Sequence, residues 1–159
     1  MPESWPDAGA TVLDVLRSSP GRVALVSAGA TKDAVLQAMA KLQETSVVSV
    51  GGLLTESDPP RSLKELRRAL AQATVLTDLD ILFWQPWLQI DVVGLLSALA
   101  RRQPVVAAWP GSIADGQASY SRPGRRDYYQ TALRDVIVLR PIARRFPDQV
   151  PFDAEHIPA

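Results

Sequence analysis

The sequence has no cysteine, one histidine (His156) and two methionines among its 159 residues. Without thiols it can form neither disulfides nor thiolate metal sites, a composition that suits a reducing compartment. His156 stands near the end of a proline-rich stretch, so neither a zinc centre nor a serine–histidine triad is expected on it. Nowhere do about eighteen apolar residues follow one another, so no membrane span and no membrane partner are predicted. The opening residues, MPESWPDAGA, lack the basic and apolar regions of a secretory signal, and a cytoplasmic location is the expectation. Neither sign of charge dominates, because 17 Lys and Arg balance 17 Asp and Glu. The balance is uneven along the chain: residues 1–60 hold four bases and seven acids, residues 101–159 nine arginines and six acids. That asymmetry permits an acidic partner or nucleic acid at the C-terminal third without demanding either.

What is present reads as one globular domain over residues 1–159, 47% apolar and 21% charged. Residues 1–9 read as a short leader and 141–159 as an irregular Pro/Arg-rich tail. The organising stretch is RVALVSAGATKDAVLQAMAKL, residues 22–42. Its Val23–Val26 run suits a strand buried on both faces. A small-residue turn follows, and then the period changes. Ala34, Val35, Ala38, Met39 and Leu42 share one helical face, with Thr31 placed to cap it. Four more apolar strands are predicted over 45–50, 74–79, 104–109 and 136–139, the first of these ended by Gly51-Gly52. Helices are predicted over 10–17, over 62–73 behind a Ser62–Glu65 capping box, and over 92–102. Residues 110–126 read as a polar loop and 127–133 as one short helix. Strands alternating with helices define the expected fold class: a three-layer, P-loop-NTPase-like α/β domain with a mainly parallel five-stranded sheet.

A buried strand, tight turn and helix are where α/β proteins hold phosphate. A phosphate loop of the G-x-x-x-x-G-K-[S/T] type needs glycines for close backbone approach, a lysine for the β/γ-phosphates and a hydroxyl for magnesium. Aligned on Lys32, this chain has Val26 and Thr31 in the glycine places and Asp33 in the hydroxyl place. Lys32, Thr31 and Asp33 are thus the candidate nucleotide-binding residues, or simply a solvated first turn. Val75-Leu76-Thr77-Asp78 has the form of a Walker-B strand, whose Asp78 would hold magnesium if nucleotide binds; Asp80 is placed to polarise water. Acids at strand ends also cap the next element, so the pattern reads either way. Arg122, Arg125 and Arg126 flank Pro123-Gly124 with Tyr128 nearby, a set that can grip a phosphate backbone or dock an acidic protein. Trp84 and Trp87 beside Pro86 suggest a contact corner.

Three strings, LTDLDILFWQPW, LLSALARRQPVVAAWPG and ASYSRPGRRDYY, together resemble the small P-loop protein family BrxF of type 3 BREX phage-defence systems. That family's Walker-B strand runs into an "iLF" segment, followed by a helix, a "VVAAWpG" strand and a "Y-x-x-PG-x-x-x-Y" element. The resemblance implies an accessory subunit of an anti-phage system, working beside a large AAA-type ATPase, with ATP and magnesium as the family's ligands. Only Lys32, Asp78 and Asp80 carry over; Val26, Thr31 and Asp33 depart from the family's phosphate loop. Three functions follow as expectations. The first is a degenerate P-loop adaptor acting through protein contacts. The others are a nucleotide switch or weak ATPase with an atypical loop, and a DNA-binding module using the arginine-rich loop.

Overall fold

The computed structural model describes residues 5–84, 91–143, 146 and 150–159. Helix α1 (Trp5–Ser18) opens it, starting inside the segment read as a leader. Ala8, Val12 and Leu16, four residues apart, make its buried stripe. Strand β1 (Val23–Val26) is buried throughout and leads into α2 (Lys32–Leu42). Then come β2 (Val48–Ser49), α3 (Val50–Leu54), α4 (Leu63–Ala69) and β3 (Val75–Thr77). A 3-10 segment (Leu79–Phe83), α5 (Val92–Leu99) and β4 (Val105–Ala108) follow. The chain ends with β5 (Ser112–Ala114), β6 (Gln117–Tyr120), β7 (Tyr129–Ala132), β8 (Val136–Pro141) and β9 (Phe152–Ile157).

The architecture is α/β, with a mainly parallel six-stranded sheet in the order β2-β3-β4-β1-β8-β9. Its first five strands are mutually parallel and β9 runs antiparallel to β8. Right-handed crossovers decide which face each helix takes. The step from β1 to β2 runs toward one edge and lays α2 on one face. Every later parallel step runs the other way and lays α3, α4, α5 and the small antiparallel sheet β5-β6-β7 on the opposite face. Two cores result. Ala24 and Val26 point to one, with α1 and α2; Val23 and Leu25 point to the other.

Several expectations are corrected. The sheet has six strands rather than five, because β9 forms within the tail read as irregular. Gly51 and Gly52 lie inside α3 rather than ending a strand: the Ser49 hydroxyl accepts from the Gly52 N–H at 2.9 Å and starts the helix. The third strand stops at Thr77, since Asp78 turns left-handed at φ 56°. Residues 110–133, read as a loop and helix, form the antiparallel sheet. Its first turn is Asp115-Gly116, with φ of 54° and 73°, the paired positive angles of a two-residue hairpin.

Candidate functional site

The C-terminal ends of the parallel strands lie along one edge. Val26 is level with Ala108 and Leu139, and Leu76 with Ala107. The next residues, Asp78, Trp109, Ser27 and Arg140, therefore stand in one row. The β1–α2 turn leans toward the β8 side of that row. The Ser27 N–H donates to the Leu139 carbonyl at 3.0 Å, and the Lys32 N–H to that of Gly29 at 3.2 Å. A Cβ on Gly29 would meet Pro141 Cβ at 3.1 Å. Thr31 stands at the N-cap, but its hydroxyl donates to the Ile142 carbonyl at 3.1 Å and caps nothing. Asp33 is exposed in the first turn, where the helix dipole favours a carboxylate.

Asp78 is two strand spacings from β1, about 10 Å. Its Oδ2 accepts the Ser49 hydroxyl at 2.5 Å, and Ser49 in turn caps α3. Asp80 is half-buried in the 3-10 segment, close enough for its charge to bear on Tyr120. These residues do not fit a nucleotide phosphate with its magnesium. Two N–H groups of the turn are spent inside the chain, a carboxylate occupies the first helical turn, and the Walker-B-like acid already accepts the Ser49 hydroxyl.

The second arrangement lies on the opposite face of the sheet from α2. Phe83, Trp109, Tyr120 and Tyr129 converge there. Phe83 stacks on Tyr120 with ring centroids 4.2 Å apart and meets Trp109 edge-on at 5.8 Å. Tyr129 lies 5.4 Å from Phe83 and 5.8 Å from Trp109. The Trp109 indole donates to the Ser119 carbonyl at 3.0 Å. Gly111 crosses β6 so closely that a Cβ would fall 1.8 Å from Ser119 O. The Tyr129 hydroxyl donates to Asp91 Oδ1 and accepts from the Val93 N–H at 3.4 Å, fastening β7 to the start of α5. Burial, then the bond to Asp91, raises the Tyr129 hydroxyl well above its ordinary value. Burial also raises Tyr120, against an opposing hydrogen bond from Trp84.

On this aromatic base stands the β6–β7 turn. The Arg125 N–H donates to the Arg122 carbonyl at 3.1 Å and the Tyr128 N–H to Arg125 at 3.2 Å. Ser121 binds Asp127 Oδ1 at 2.6 Å. Arg122, Arg125 and Arg126 are exposed, and none pairs with an acid among the described residues. Tyr128 binds Gln130 Oε1 at 2.6 Å, and Trp84 is 57% exposed. Trp87 lies outside the described residues. The structure thus gathers Arg122, Arg125, Arg126 and Tyr128 on one turn, while Lys32 and Asp78 sit apart at the sheet edge. The structural parts played by Phe83, Trp109 and Gly111 were missed from the sequence, although all three fall inside the strings that carry the resemblance.

Comparison of the chain with protein-family models, curated proteins and solved structures returned no match.

Proposed function

We propose that this chain is a P-loop-type α/β domain without phosphate chemistry, serving as an accessory docking subunit. The setting is the one its resemblance implies, a BREX-type anti-phage assembly with a large AAA-type ATPase as partner. A first strand set between two parallel neighbours, with an acid ending the next strand but one, supports the P-loop-type reading. The docking reading is carried by one observation: three exposed arginines without acid partners crown a turn braced by four packed aromatic rings. Arginine and tyrosine side chains carried on a hydrogen-bonded turn of this kind are common interface anchors.

Isothermal titration of ATP and ADP with magnesium, on the parent and on Lys32→Ala, tests the first half. No binding to either protein is expected. Micromolar affinity that vanishes in Lys32→Ala would establish a nucleotide switch instead. The second half is tested with the purified ATPase. Changing Arg122, Arg125 and Arg126 together to Ala is expected to weaken binding about ten-fold or more. Unchanged affinity would remove the turn from the interface. Duplex DNA bound with a steep salt dependence would make this a nucleic-acid module.

A further inference from the structure

A groove between α4 and α5 lies away from both the sheet edge and the arginine turn. It consists of two adjoining cavities, about 240 Å³ and about 340 Å³, which share Arg67 and Ala98. Leu95, Ala98 and Leu99 line it, with Leu63 37% exposed at one end. Arg67, Arg68 and Arg102 stand along it, and none has an ion pair among the described residues. The one acid on its wall among the described residues, Asp91, sits at the Leu63 end, where it already accepts from Tyr129.

We infer that this groove takes an acidic amphipathic helix from a partner protein. Helix-in-groove recognition needs an apolar floor for residues at i, i+3, i+4 and i+7, and a rim matching the flanking charges. Helix α5, Val92–Leu99, is about 12 Å long, room for two turns of such a helix. Three arginines against one occupied aspartate select carboxylates on the ligand. Nucleic acid is disfavoured because, among the described residues, no aromatic ring lines the groove for bases to stack on. A second copy of this chain is disfavoured because the apolar stripe of α1, its one described helix with two acids, is already buried.

The test uses a fluorescein-labelled helical peptide of about 18 residues, with Leu on one face and Glu on either side of it. Controls are the same composition without the helical period, and a version with Lys for Glu. The acidic amphipathic peptide is expected to bind the parent and to lose about ten-fold in affinity against Arg67→Glu/Arg102→Glu. The Lys peptide is expected to show the reverse preference. Amide shifts in the labelled chain should move over residues 63–71 and 91–102 and stay still over 121–128. Absence of binding, equal binding of the control without the period, or shifts confined to 121–128 would overturn the inference. So would displacement of the peptide by single-stranded DNA. Both substituted arginines are exposed, and circular dichroism of the variant checks that it folds.

Discussion

Tyr129→Phe isolates one hydroxyl whose loss should reach the arginine turn. The ring keeps its contacts with Phe83 and Trp109, so packing is unchanged. What disappears is a donor to Asp91 Oδ1 and an acceptor for the Val93 N–H, one of the free amides in the first turn of α5. A hydrogen bond to a charged group contributes about 1.5–3 kcal/mol, and the exposure of Asp91 puts this one at the low end. The expected loss is about 1–2 kcal/mol, which for a chain of this size lowers Tm by about 2–8 °C. The pH dependence supplies a second readout. The folded chain keeps Tyr129 neutral to higher pH than the unfolded chain, where tyrosine ionises near about pH 10. Its stabilisation is therefore complete below that pH and is lost as pH rises through the raised folded value. Tyr129→Phe should flatten that alkaline decline, leaving the part due to Tyr120. Urea unfolding followed by tryptophan fluorescence, repeated from neutral to alkaline pH, measures both quantities. An unchanged unfolding free energy together with an unchanged alkaline slope would refute the view that this bond fastens β7 to α5.

Gly111→Ala is expected to be severe, because its Cβ would overlap Ser119 O at 1.8 Å; a loss above about 2 kcal/mol in urea unfolding checks it. Asp135 concerns the acid side. Its bond to His156, opposed by partial burial and helped by Arg22, holds its carboxyl below the ordinary 3.8. Its contribution is complete above that value and is lost as pH falls through the lowered one, so Asp135→Asn should flatten the acid limb of a Tm-versus-pH profile. Asn tolerates the left-handed backbone at this position, where φ is 55°, which leaves charge as the main variable.

The central strands were legible for a physical reason. A strand buried on both faces must be apolar at every position, and Val23–Val26, Val105–Ala108 and Val136–Leu139 are. The same logic hides β9. It is an edge strand, and Asp153 through His156 all face water, so no apolar pattern marks it. Strand β7 was obscured because residues 127–133 offer only Tyr129, Thr131 and Leu133 in alternation, too short a run to exclude a helix. The Asp115-Gly116 pair did carry a hairpin signal, and weighing it would have recovered β5 and β6. Helix α3 was hidden by its two glycines, poor helix formers whose use here is space. A Cβ on Gly51 would stand 3.2 Å from Asp78 Cβ.

The candidate site was legible as a set of residues but not as an arrangement, and the arrangement separates two kinds of side chain. Ser27, Gly29 and Thr31 join the first turn to β8 and the residues just after it; Asp78 holds the serine that starts α3. Each has a task in the fold that needs no ligand. Their presence is therefore explained whether or not nucleotide ever binds, and they are poor evidence for hydrolysis. Arg122, Arg125 and Arg126 are the opposite case. Their guanidinium groups are exposed and make no ion pair within the described chain, and like charges carried on one short turn repel. A tight turn that gathers three of them on a rigid aromatic base concentrates positive charge where folding gains nothing from it. An anionic surface would relieve that repulsion, so the turn tests the proposed docking role more directly than Lys32 or Asp78 does.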